Sequence, residues 1–253
     1  MAGPVLFARY AYAPNERGFC GPPDHRSMLE YGAEQVSDGG LIQLASSFTG
    51  PWPYLTLIAA TAGISDPFDA RVVEAYWIGN DLLDRVDMTA FGNGMFDRFR
   101  KVAGPAWSHL AEAIPAGAVA HHSFHVLGVY PWVGLLGPER GGEPLHILDR
   151  CRIRWGRVLT VAGDQVTVTS QSLTWDGVRL GIGEAQPETA RRAIGGVGFV
   201  PDLAAGDWVA LHWDWVCDRI SPRQLHNLRR YTRLQLEITN HRVSHSGPGL
   251  AMS

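Results

Sequence analysis

Arg152-Ile153-Arg154-Trp155 and Arg157-Val158-Leu159-Thr160-Val161 alternate with a period near two, and Ala162-Gly163-Asp164 follows as a turn. This spacing predicts β-strands, because successive side chains on a strand point to opposite faces. Gln165-Val166-Thr167-Val168-Thr169 alternates again. Leu173-Thr174-Trp175, Asp176-Gly177 and Val178-Arg179-Leu180 read as a two-residue hairpin. Gly206-Asp207 leads into a further strand, Trp208-Val209-Ala210-Leu211-His212-Trp213. Short strands separated by turns predict a small β-barrel. Residues 183–200, with Gly195, Gly196 and Gly198, read as a connection. Ser221-Pro222 then opens a terminal helix with an apolar stripe of Leu225, Leu228, Tyr231, Leu234 and Ile238. Arg229, Arg230 and Arg233 lie mostly off that stripe and read as a solvated face.

Upstream of about residue 145 no long period-2 alternation appears. The opening is rich in proline and glycine (Pro14, Gly18, Gly21, Pro22, Pro23) and reads as irregular. Helices are expected from Asp24 to Val36, over Leu41–Phe48, over Pro53–Ala62 with a stop at Gly63, and from Asp66-Pro67 to Gly79. Others are expected near Phe96–Val102, Pro105–Ile114 and Ala116–Val129. The expected fold class is therefore α+β. An all-helical domain over 1–145 precedes a β-barrel with a C-terminal helix over 146–240, and 241–253 is a tail.

The chain has 253 residues and a formal net charge of −3. That balance argues against a general nucleic-acid binder. No run of 18 apolar residues predicts a membrane span, and the N-terminus lacks the pattern of a secretory signal. Three cysteines, Cys20, Cys151 and Cys217, fit a reducing, cytoplasmic setting better than a disulfide framework. There is no Walker A pattern, and the Gly195–Gly198 cluster lacks the lysine of a phosphate loop.

Two segments of the C-terminal third, Cys151-Arg152-Ile153-Arg154-Trp155-Gly156-Arg157-Val158 and Gly206-Asp207-Trp208-Val209-Ala210-Leu211-His212-Trp213 followed by Asp218-Arg219-Ile220-Ser221, resemble the HypC/HupF family of NiFe-hydrogenase assembly chaperones. The resemblance covers roughly residues 148–240, with an insertion near 183–203. It implies a small OB-like barrel followed by one helix. It also implies a carrier that is not itself a catalyst. Such a carrier takes iron as an Fe(CN)2CO unit from a HypD-like partner and passes it to the precursor of a NiFe-hydrogenase large subunit. The family's cysteine maps to Cys151 and its strand histidine to His212. Low-spin iron with strong-field ligands suits a thiolate donor, and a nearby imidazole can take the thiol proton or ligate the metal. In the family this cysteine opens the mature chain, whereas here Leu148-Asp149-Arg150 precedes it. The family's Pro-Gly is Trp155-Gly156, and Trp213-Asp214 follows the histidine where small residues are usual. A pure docking or adaptor protein for a large subunit therefore stays open as an alternative.

A second cluster, His121-His122-Ser123-Phe124-His125, lies outside the resemblance. On a helix, His121 and His125 would share a face and offer two ligands to a metal. Further donors would come from His109, Cys20, Glu112 or Asp24. This gives the other alternative, a metal-dependent enzyme in the helical part. No HExxH pattern accompanies the cluster, and core or interface packing with the aromatic neighbours Phe124, Tyr130 and Trp132 is the commoner explanation for such a doublet.

Overall fold

Pro4, with its backbone torsion preset for a helix, stands in the first turn of a helix over Gly3–Glu16 (α1). The computed structural model describes residues 1–86, 117–137 and 142–245. The irregular opening expected up to residue 23 is thus corrected: only residues 17–24 are irregular. Nearly every residue of α1 from Gly3 to Asn15 is buried. A helix buried on all sides shows no polar face, so its sequence carries no amphipathic period. Gly3 sits so close to the backbone at Phe68 that an added Cβ would lie 1.6 Å from the Phe68 carbonyl oxygen.

Four further helices follow. These are α2 (His25–Glu34, capped by Asp24), α3 (Gly39–Ser46, capped by Asp38), α4 (Trp52–Ala62) and α5 (Ala70–Trp77, capped by Asp69). Three of them pack against α1 and the fourth, α4, against α5. Gly63, with φ of 67°, ends α4 as expected. The start expected at Asp66-Pro67 is displaced to Ala70, because Asp66 accepts from the Phe68 N–H in a turn and Asp69 supplies the cap. The helices expected near Phe96–Val102 and Pro105–Ile114 lie outside the described residues. The helix expected over Ala116–Val129 is much shorter: one α-turn over His122–Phe124 runs into a π-turn over His125–Val129. A helix α6 (Gly142–Cys151) crosses residue 145 and delivers the chain to the sheet.

The sheet contains β1 (Arg154–Ala162), β2 (Gln165–Trp175), β3 (Leu180–Arg191), β6 (Trp208–His212) and β7 (Trp215–Arg219). A two-strand ribbon of β4 (Ala193–Ile194) and β5 (Val197–Gly198) stands apart. The order is β1-β2-β3-β7-β6, and β6 returns to pair with β1. Between β3 and β7 there is one parallel pair, Arg191 with Trp215. The five strands therefore form a strongly curled sheet whose seam is a single contact, not a barrel closed by a continuous ladder.

Two sequence expectations change here. Residues 183–191, read as connection, belong to β3 and pair with β2 from Leu180 to Arg191. Their side chains are mostly exposed, so no apolar alternation marks them. The hairpin at Asp176-Gly177 has a four-residue loop, since Trp175 pairs with Leu180 and Asp176 accepts from the Val178 and Arg179 N–H groups. The terminal helix α7 (Pro222–His245) runs past residue 240, and 246–253 lie outside the described residues. The α+β class holds.

Buried hydrophobic residues of the helices and of the sheet form one continuous cluster, with α1 between them. Arg9 on α1 donates to the Gly32 carbonyl of α2 and to Asp218 of β7. Arg152 and Arg154, both fully buried, fasten the junction between α6 and the sheet. Arg152 bonds Asp149 at 2.9 Å and the Gln171 carbonyl at 2.5 Å, while Asp149 also accepts from the Leu173 N–H. Arg154 pairs with Glu188 and donates to the Trp213 carbonyl. Burial works against the charge on Glu188, yet Arg154, Ser170 and Arg150 together hold its carboxyl below the usual range.

Removing one member of a buried ion pair strands the other charge. Glu188→Ala is therefore expected to destabilise the fold by about 3 kcal/mol in urea unfolding at pH 7. A change under about 1 kcal/mol would mark the pair as an ordinary surface contact.

Candidate metal centre

The terminus of α6, the end of β6 and the short turn at His122 converge on one cavity of about 140 Å³. Cys151, His122 and His212 line it, and each offers a ligand atom within 4.8 Å of the other two. Cys151 is 8% exposed, His122 5% and His212 0%. The pairing of Cys151 with His212 that the family resemblance implies is thus a spatial one. The sulfur lies in the last turn of α6, ahead of β1.

Hydrogen bonds to backbone carbonyls assign both imidazole tautomers, because a carbonyl oxygen only accepts. His212 Nδ1 lies 2.6 Å from the Tyr10 carbonyl oxygen and so carries the proton. Its Nε2 then bears the lone pair, is buried, and receives no hydrogen bond from a described residue, although the ring also lies near the Cys151 backbone carbonyl. His122 Nε2 donates to the Cys151 carbonyl at 2.9 Å. Its Nδ1 therefore carries the lone pair and accepts from the Tyr76 hydroxyl at 3.1 Å. Metal-bound histidines commonly hold one ring N–H on a carbonyl and turn the other nitrogen to the metal. His212 has that arrangement outright, and His122 has it once Tyr76 turns its hydroxyl away.

Each accepting carbonyl is spare for a reason readable in the helix it belongs to. In α1 the Tyr10 carbonyl would normally receive the N–H four residues on. That residue is Pro14, which has none. In α6 the Cys151 and Arg150 carbonyls belong to the last turn, where intrahelical donors run out. Arg150 instead receives the Trp213 N–H at 2.7 Å.

Burial sets the protonation of the whole cluster. It pushes the Cys151 thiol up and lowers His212 to about 4, His125 to about 4 and His121 to about 3. His122 is driven well down by burial and by its histidine neighbours. Near pH 7 the site holds neutral imidazoles and a protonated thiol. Neutral imidazole is the ligating form, and a metal would displace the thiol proton.

The other candidate ligands separate. His121 does not join His125 on a helix face, because the helix starts at His122 and His121 is its N-terminal cap. Its Nδ1 accepts from the Ser123 N–H, and its ring stacks on Tyr231 at 5.2 Å. His125 does line the cavity, beside Tyr130, with Nδ1 against the Tyr54 hydroxyl at 3.2 Å. Cys20 lines it too, and burial raises its thiol to about 12. Asp24 caps α2 and is not among the lining residues. His109 and Glu112 lie outside the described residues. The residue that sequence reasoning passed over is His122. Counting from His122, the histidines on one turn are three apart, not four, so the i,i+4 rule selected the wrong partner.

Four histidines that titrate near 6.5 in an unfolded chain are held neutral by burial in the fold. Between pH 6.5 and about 4 the unfolded chain binds more protons, so stability falls as the pH falls through that window. Each such proton contributes a slope of about 1.4 kcal/mol per pH unit. Urea midpoints at pH 7 and pH 5 are expected to differ clearly. Equal midpoints, or a rise toward pH 5, would contradict the assigned protonation states.

No curated protein and no solved structure matches the chain. A family model does match, over residues 1–246, and the chain belongs to that family, DUF6390, a family of unknown function.

Proposed function

We propose that this chain is a metallocentre-assembly chaperone that carries iron as an Fe(CN)2CO unit on Cys151, His212 and His122. The unit is the cargo, received from a HypD-like partner and delivered to the precursor of a NiFe-hydrogenase large subunit in the cytoplasm. The single observation that carries this reading is the buried Nε2 of His212, which receives no hydrogen bond from a described residue, in the same cavity as the Cys151 thiol and His122.

Several features support it. Cys151 and His212 are the two residues that the HypC/HupF resemblance selects, and they come from elements far apart in sequence. A curled five-stranded sheet followed by one helix suits the HypC-like, OB-like barrel of that family. All three cysteines are free. No helix among the described residues is long and apolar enough to cross a membrane.

The chemistry follows from the states assigned above. Loading releases the proton of the Cys151 thiol and leaves both imidazoles uncharged. Unloading returns that proton, so the cargo leaves without any change in the histidines. One thiolate with two neutral nitrogens holds a borderline metal while leaving coordination positions for exogenous ligands. His122 adds a donor from the helical part, so a metal in the cavity would tie the helices to the sheet.

Protein purified without oxygen from a host that matures NiFe hydrogenases is expected to show cyanide and carbonyl stretches in the infrared. Cys151→Ala is expected to lose both bands and the bound iron, with unchanged circular dichroism. A spectrum without bands in the parent chain, or bands retained in Cys151→Ala, would contradict carriage and favour a docking role.

A further inference from the structure

Trp213 occupies a left-handed backbone conformation, with φ of 56°. Such a conformation is costly for a bulky residue and is held only where its surroundings demand it. It occupies the first position of the two-residue turn between β6 and β7, directly after His212. Its N–H bonds the Arg150 carbonyl, its own carbonyl accepts from Arg154, and its ring stacks on Phe19 at 4.6 Å with Arg17 over its face. These contacts hold the indole on the wall of the metal cavity. Its Nε1–H is buried without an acceptor among the described residues. Trp77, at the end of α5, lines the same cavity, and its Nε1–H is also buried without an acceptor.

Buried N–H donors without partners are rare in folded proteins and call for an explanation. Four indoles, Trp77, Trp175, Trp213 and Trp215, have such a donor among the described residues, and two of them, Trp77 and Trp213, line one small cavity together with His212. Much of the remaining lining is apolar, including Phe48, Pro51 and Ile147. No lysine or arginine is among the described residues that line it. A free multivalent anion would find no countercharge there. A small anion bonded to a metal would, because the metal carries the compensating charge, and its outer atom would still accept hydrogen bonds.

We infer that the indole N–H groups of Trp77 and Trp213 form a hydrogen-bonding subsite for small linear anions of the cyanide class bound to the metal. The inference rests on the metal site proposed above and adds its outer shell. The metal is held by Cys151, His122 and His212, and the ends of its exogenous ligands are received by the two indoles. Trp77 and Trp213 touch the ligand and not the metal, so their loss weakens anion binding and leaves metal binding in place.

The test uses the full chain, loaded with Zn(II) as a diamagnetic probe and labelled with 15N at the indole nitrogens. Cyanide is added at concentrations that leave the zinc bound. The expected result is a downfield shift of two indole N–H resonances, one missing in Trp77→Phe and the other in Trp213→Phe. Trp213→Phe preserves the stack on Phe19 and serves as the milder variant should Trp77→Phe fold poorly. Cyanide affinity is expected to fall about tenfold in that variant, the loss of one hydrogen bond to a charged acceptor, with zinc affinity unchanged. Cyanide binding to the loaded protein with no movement of either resonance, or unchanged cyanide affinity in Trp213→Phe, overturns the subsite. Failure of the parent chain to retain zinc overturns the metal site itself, and the subsite with it.

Discussion

A hydrogen bond of 2.6 Å between His212 Nδ1 and the Tyr10 carbonyl is the constraint on which the site depends. It exists because Pro14 cannot donate to that carbonyl within α1. The bond joins the central helix to the end of β6 and settles which imidazole nitrogen keeps its proton. Only then does the opposite nitrogen keep its lone pair, on a ring that lines the cavity. The bond between His122 and the Cys151 carbonyl repeats the device with a helix terminus in place of a proline. In both cases a helix carbonyl without its usual partner orients a histidine.

The rest of the molecule makes that arrangement affordable. Arg152 and Asp149 fix the last turn of α6 to β2, which places the Cys151 sulfur. Arg154 reaches from β1 to Glu188 and to the Trp213 carbonyl, so the same ion pair that braces the sheet also supports the strained turn after His212. A second set of charges, Glu16, Arg191 and Asp214, ties the end of α1 to the far side of that turn. Positive and negative groups are thus paired around the cavity, while the cavity itself holds uncharged imidazoles and a protonated thiol. An empty site in that state has no net charge to repel either a cation or its proton-releasing exchange with the thiol.

The sequence made some of this visible and hid the rest for physical reasons. Strands β1 and β2 showed alternation because much of one face of each is buried. Strand β6 is buried on both faces and read as a strand from its apolar run after Gly206-Asp207. Strand β3 showed neither sign, since its side chains are largely exposed and Gly181, Gly183 and Pro187 interrupt it. Helix α1 was missed because burial on every side erases the amphipathic period, and because Pro14 reads as a breaker although it lies in the final turn. Cys151 and His212 were legible only through the family resemblance, for nothing in their spacing predicts contact across sixty residues. His122 was hidden by its neighbour: the pair chosen at four-residue spacing presumed that His121 lies inside a helix, whereas the helix starts only at His122. Trp213 was marked only as a departure from the family's small residues and Trp77 not at all, and their proposed role emerges from indole N–H groups without an acceptor among the described residues.

The ligand set itself is the central matter, and X-ray absorption at the zinc edge of the loaded chain reads it directly. One sulfur scatterer at about 2.3 Å and two imidazole nitrogens at about 2.0 Å are expected, with the sulfur lost in Cys151→Ala. A shell of oxygen and nitrogen alone in the parent chain, or a sulfur that survives the substitution, would contradict a site built from Cys151, His122 and His212.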